Sequence, residues 1–212
     1  MDTSELIKTL AADTRRTSIP LPAMWWGAFA MAVSIAAVVF FATIGLRPDI
    51  TAAAGTVRFL FKFLVTFTLV ASAFACVRTL SRPGVPSHSA IACLTGAPVL
   101  IVLAVIAELL VLPSNSWSAT MIGTNSTVCL THILLIGVGP LAVLLLALRH
   151  GAPSRPVLAG AVAGLLAGGI AATFYAAQCN NDSPLFVAVW YTLAIAGLAA
   201  LGAVGARRLA RW

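Results

Sequence analysis

The stretch VCLTHILLIGVGPLAVLLLAL, Val128–Leu148, holds no charged residue and no regular alternation of polar with apolar positions. A helix rising 1.5 Å per residue crosses roughly 30 Å of hydrocarbon in roughly 20 residues, the length of this run. A barrel strand would alternate in-facing and out-facing residues, which this run does not. Working outward, five more runs share its character: Trp25–Leu46, Phe59–Leu80, Ala90–Leu112, Val157–Ala177 and Leu185–Ala206. The fold class that follows is all-α. It is an integral membrane bundle of six transmembrane helices with a short cytoplasmic N-terminal amphipathic helix.

Composition points the same way. The chain is 60% hydrophobic and 9% charged, whereas a soluble domain is roughly one quarter charged. So little charge cannot clothe a water-facing surface, and the lipid bilayer is the expected partner of most of it. The first apolar run exceeds the roughly 7–15 residues of a signal-peptide core, so no cleavage is expected. A net charge of +7 raises the question of nucleic acid. The basic residues lie between the apolar runs rather than in one stripe, and direct nucleic-acid binding is not expected.

Those basic residues orient the bundle instead. Arg47, Arg58 and Lys62 fall on one side, and every other lysine and arginine of the thirteen falls on the opposite side. The positive-inside rule then puts both termini in the cytoplasm of a multi-pass bacterial inner-membrane protein. Arg47-Pro48-Asp49, Arg82-Pro83-Gly84, Pro113-Ser114-Asn115, Gly151-Ala152-Pro153 and Asn180-Asn181-Asp182-Ser183-Pro184 read as turns. The division is a cytoplasmic segment at 1–24, the six-helix domain at 25–206 and a basic cytoplasmic tail at 207–212.

The head has a helix signature. Asp2 followed by Glu5 reads as an acidic start, and Leu6, Ile7, Leu10 and Ala11 recur at helical spacing. Pro20 and Pro22 are expected to end this helix before the membrane. Its apolar stripe has no core to bury it, so it either lies on the bilayer surface or docks in a groove of a cytosolic partner. The residues alone do not choose between the two.

Within the spans, Glu108 is expected to pair with Arg58 or Lys62 near the outer face. Gly160, Gly164 and Gly168 mark a tight helix pair, within the monomer or in a homo-dimer, with Gly197 and alanine-rich turns of the sixth span as the facing surface. Pro98 and Pro140 should kink the third and fourth spans.

The orientation sorts the four cysteines. Cys76 and Cys93 fall on the reducing cytoplasmic side and read as small hydrophobic residues. Cys129 and Cys179 fall on the oxidising outer side. A disulfide there requires Cα atoms within about 7 Å. His132 stands one turn after Cys129, and with Cys179 and Asp182 would offer a thiolate, imidazole and carboxylate set to a soft metal ion. A bridge, a metal and free thiols all stay open; no other cofactor is expected. The chain has no Ser-His-Asp array, phosphate loop or H-E-x-x-H, so no enzyme is expected. A small inner-membrane transporter or exporter is the alternative, but it would want polar groups at mid-depth, which are scarce. A thiol oxidoreductase is disfavoured by the wide separation of Cys129 and Cys179.

Several segments resemble the NrsF family. They are the head Ser4 to Asp13, the turn Gly45-Leu46-Arg47-Pro48-Asp49, Cys129 with Gly139-Pro140-Leu141, and Arg149-His150-Gly151-Ala152-Pro153. Gly160 to Gly168 and Tyr175 through Phe186 complete the likeness, which runs nearly end to end. The resemblance implies a six-helix inner-membrane anti-sigma factor that sequesters an extracytoplasmic-function sigma factor. It implies sensing of metal or oxidative stress at Cys129 and Cys179. It places sigma binding in the N-terminal segment, hence at Glu5, Leu6, Ile7 and Leu10, and gives no role to Cys76 or Cys93.

Overall fold

The computed structural model describes residues 2–5, 7–8, 20–82, 88–151 and 153–209, with backbone alone at 89 and 90. Among them there is no strand. Six helices are long and apolar enough to cross a membrane: α1 Leu21–Thr43, α2 Val57–Leu80, α3 Ile91–Val111, α4 Ser126–Leu148, α5 Pro156–Ala176 and α6 Pro184–Leu209.

Where the bounds depart from the sequence reading, local chemistry explains it. Pro20 is the N-cap of α1 and Pro22 sits in its first turn, so these prolines open a membrane-length helix. First-turn N–H groups have no helical acceptor, and proline loses nothing there. The helix α1 stops at Thr43 because Ile44 N and Gly45 N both bond back to Phe40 O, with Gly45 at φ +70°. Thr56 caps α2, its hydroxyl accepting from Phe59 N. The kink expected at Pro98 appears as a break at Leu94–Thr95, between helical segments His88–Cys93 and Gly96–Val111. The proline ring needs the space of the carbonyl four residues back, which is that of Leu94. Through Pro140, by contrast, α4 runs on as one helix. Within α6 the stretch Val187–Tyr191 is π-helical.

The core of the bundle is α5, which packs against α6, α2, α4 and α1. A Cβ at Gly160 would overlap Gly202 O and Ala206 Cβ, and one at Gly164 would stand 2.5 Å from Ala199 Cα. The tight pair is therefore α5 against α6 of the same chain, with Gly202 rather than Gly197 facing the stripe. That corrects the homo-dimer option for Gly160, Gly164 and Gly168, since the face is already filled from within. On the periphery, α3 makes its main contacts with α2 and the first turns of α6.

Two short helices, Ile50–Ala53 and Trp117–Ile122, occupy connections that read only as turns. Trp190 Nε1 donates to Met121 O at 3.0 Å and ties the second of them to α6. In the head, residues 3–5 and 7–8 are helical. Glu5 and Ile7 face solvent there, Ile7 being 62% exposed. Leu6 and Leu10 lie outside the described residues.

Candidate functional site

The first turn of α4 carries Cys129, and Cys179 follows α5 in the turn that closes it, its N–H bonded to Tyr175 O at 3.0 Å. Both thiols are buried, at 0% and 3% exposure, and both are free. Tyr175 lies beside both of them, and Tyr191 of the π-helical stretch completes the cluster. The two tyrosine rings are 5.9 Å apart. Among the described residues the buried Tyr191 hydroxyl meets no hydrogen-bond partner of good geometry. A π-helical turn widens the helix and re-aims the side chains it carries, which is how Tyr191 comes to face the thiols.

His132 bears on this cluster through Tyr175. Its ring stacks on the tyrosine at 6.2 Å between centroids, and its Nδ1 is 2.8 Å from Val128 O. Asp182 is engaged elsewhere, by Lys62 and Arg47. Among the described residues no three of His, Cys, Asp and Glu converge on one point, so the four-residue ligand set of the sequence reading is not assembled in this arrangement.

What is assembled is an ionic clamp on the loop that carries Cys179. Lys62, on α2 and 0% exposed, places Nζ 2.9 Å from Cys179 O and 2.5 Å from Asp182 Oδ1. Arg47 Nη1 donates to the same carbonyl at 3.2 Å and lies 3.2 Å from Asp182 Oδ2. Its other edge forks onto Asp49 through two bonds of 2.7 Å. Bidentate pairs of this kind are the strong ones among charge-assisted hydrogen bonds. The bond from Arg47 holds the Asp49 carboxyl below the usual carboxylate range. The guanidinium in turn holds its proton more tightly than usual, chiefly through Asp49 and against the effect of burial. Both cations also lie over the Phe59 ring, at 5.2 Å for Lys62 and 5.8 Å for Arg47.

Lys62 is thus bound to Asp182, and Glu108 approaches Arg58 at 3.5 Å. Glu108 does more for α6. Its Oε2 accepts from Ser183 Oγ at 2.7 Å and from Leu185 N at 2.9 Å, which caps the helix with a carboxylate. The clamp was missed although its signal was present: Asp182 is the one acid in the fifth connection, at the same end as Arg47, Arg58 and Lys62. Of the remaining thiols, Cys76 is buried and Cys93 exposed.

Six helices long and apolar enough to cross a membrane, with a buried thiol pair at one end whose loop is held by charged side chains, define a helical bundle with a thiol site. The chain belongs to the NrsF family, whose model, "Negative regulator of sigma F", matches residues 10–212. It is 33% identical to the anti-sigma-F factor NrsF of Caulobacter vibrioides (strain NA1000 / CB15N) over the full length of both chains. It is 31% identical to the probable anti-sigma-F factor NrsF of Azospira oryzae (strain ATCC BAA-33 / DSM 13638 / PS), again over both full lengths. The family is a regulatory one. No solved structure matches the chain.

Proposed function

We propose that this protein is an anti-sigma factor of the inner membrane that sequesters an extracytoplasmic-function sigma factor and releases it on metal or oxidative stress. The observation that carries the reading is likeness over the whole chain to relatives named anti-sigma-F factors. Both termini lie in the cytoplasm, and the head uses Glu5, Leu6, Ile7 and Leu10 to cover the sigma factor's polymerase-binding surface. Cys129 and Cys179 meet the outer compartment and report the stress, by bridging or by taking a soft metal ion. Buried polar side chains that bond across helices gather at the Arg58 end, near these thiols, which favours a sensor over a transporter.

Release needs a mechanical consequence. A reagent or metal reaching two thiols this buried must displace the loop at 178–183, and that loop is clamped to α2 by Lys62 and to the α1–α2 connection by Arg47. Disturbing Cys179 therefore loads α2, whose far end lies on the cytoplasmic side. Switching the partner from 99% bound to 99% free takes about 5.5 kcal/mol of differential affinity. The test is capture of the sigma factor by full-length protein carrying Leu6→Glu and Leu10→Glu. Capture should fall to background; undiminished capture removes the head as the binding element.

A further inference from the structure

Between α2 and α3, close to the first turn of α6, lies a crevice of about 280 Å³. It is walled by Val57, Phe61, Ala104 and Ala107, reaches Pro184 and ends at Arg58 and Glu108. A separate apolar cavity lies elsewhere between α2, α3 and α6, lined by Val65, Ile101 and Ile195.

The polar end is chemically incomplete. Glu108 Oε2 is satisfied twice, but Oε1, though ion-paired with Arg58 Nη2, is buried, belongs to a residue lining the crevice and accepts no hydrogen bond among the described residues. Arg58 stands 3.5 Å away, with its side chain 59% exposed at the rim. A carboxylate oxygen without a donor in apolar surroundings is costly, and the missing partner is a group with N–H bonds and positive charge. Arg58 has guanidinium donors left for an anion. The apolar walls of the same crevice leave room beside both for part of a hydrocarbon chain. An ammonium, a phosphate two carbons away and an acyl chain occur together in one molecule that a membrane supplies. We propose that this crevice binds a phospholipid with a primary ammonium headgroup, of the phosphatidylethanolamine class. Its ammonium meets Glu108 Oε1, its phosphate meets Arg58 and one acyl chain runs along Val57, Phe61, Ala104 and Ala107. Phosphatidylglycerol offers the phosphate without the cation, and phosphatidylcholine offers a cation without N–H donors. The site rests on the membrane reading but not on sigma binding.

The test is native mass spectrometry of purified, delipidated full-length protein given an equimolar mixture of phosphatidylethanolamine, phosphatidylglycerol and phosphatidylcholine. Wild type should retain phosphatidylethanolamine about tenfold over either rival, the scale of one charge-assisted hydrogen bond. Glu108→Gln keeps an oxygen for Leu185 N and should lose the preference over phosphatidylglycerol. Arg58→Gln should weaken both phosphatidylethanolamine and phosphatidylglycerol relative to phosphatidylcholine. If Glu108→Gln does not fold, Ala104→Leu fills the crevice from α3 without touching the cap and should remove the preference by itself. Soluble glycerophosphoethanolamine should not displace the lipid; displacement would reassign the site to a free headgroup. Equal retention of all three lipids by wild type, or a preference that survives the variants, overturns the proposal. Failure to co-float with phosphatidylcholine vesicles overturns the membrane reading and this site with it, whereas insertion without lipid preference overturns the site alone.

Discussion

Replacing Lys62 with methionine should unlock the Cys179 loop. Methionine preserves roughly the length and volume of the apolar stem, so the packing against Phe59 is largely kept. The ammonium is lost, and with it the 2.9 Å bond to Cys179 O and the 2.5 Å contact to Asp182. A hydrogen bond involving a charged group contributes about 1.5–3 kcal/mol, and Cys179 O is left with Arg47 alone. Asp182 keeps Arg47 and is partly exposed, so its stranding costs less than that of a fully buried partner. The net loss of about 2–3 kcal/mol falls on the loop at 178–183 rather than on the whole bundle. Since 1.4 kcal/mol is a factor of ten in an equilibrium, the open population should rise roughly 30- to 140-fold. Cys179 is 3% exposed and must await that opening, so its alkylation in mild detergent should accelerate by the same factor, read at the Cys179 peptide by mass spectrometry. Cys76, buried at the Leu80 end of α2, is the internal control and should keep its rate. An unchanged Cys179 rate, or equal acceleration at Cys76, would refute the clamp as a local restraint.

Other outcomes follow from the same geometry. Gly164→Val should lower the unfolding midpoint in detergent strongly, by about 3 kcal/mol of stability or more, because a Cβ there meets backbone rather than a yielding side chain; an unshifted midpoint contradicts the close packing of α5 on α6. Glu108→Ala should cost about 3 kcal/mol and speed amide exchange at Leu185 and Val187, as the carboxylate that caps α6 is gone. Acid should also loosen the outer loops. Asp49 has a folded pKa below its ordinary value of 3.8, so its contribution is complete above that value and is lost as pH falls through the lowered one. Alkylation of Cys179 slows in acid in both proteins as thiolate is lost, but the wild-type rate divided by that of Asp49→Asn, in which this component is already absent, should rise toward one below about pH 4; a flat ratio contradicts the contribution.

The bundle was legible because a helix long and apolar enough to cross a membrane satisfies every backbone polar group within its own segment, and so is written as one long apolar run. Val128–Leu148 and its five counterparts carry that signal without help from their neighbours. The glycine stripe at Gly160, Gly164 and Gly168 announced a close helix pair, yet periodicity cannot tell a partner in the same chain from one in another copy. Only the approach of Gly202 and Ala206 decides it. The start of α1 at Leu21 rather than Trp25 has a related reason, since proline disrupts a helix interior but is welcome in the first turn. The thiol site was half legible. Topology put Cys129 and Cys179 at one end, and it put Asp182 at the end of Arg47 and Lys62 too, but pairing residues 47, 62 and 182 across the bundle takes the packing of α2 against α5. Tyr191 was invisible because its direction depends on the π-helical stretch, which has no simple sequence pattern.

The proposed function requires the head and the thiol loop to lie on opposite faces of the membrane. With Cys76, Cys93, Cys129 and Cys179 replaced by alanine, single Lys8→Cys and Asn180→Cys variants place one exposed thiol in each region. A membrane-impermeant maleimide should label Asn180→Cys in spheroplasts and not in inverted vesicles, and Lys8→Cys in inverted vesicles and not in spheroplasts. Labelling of both variants from the same face would contradict it.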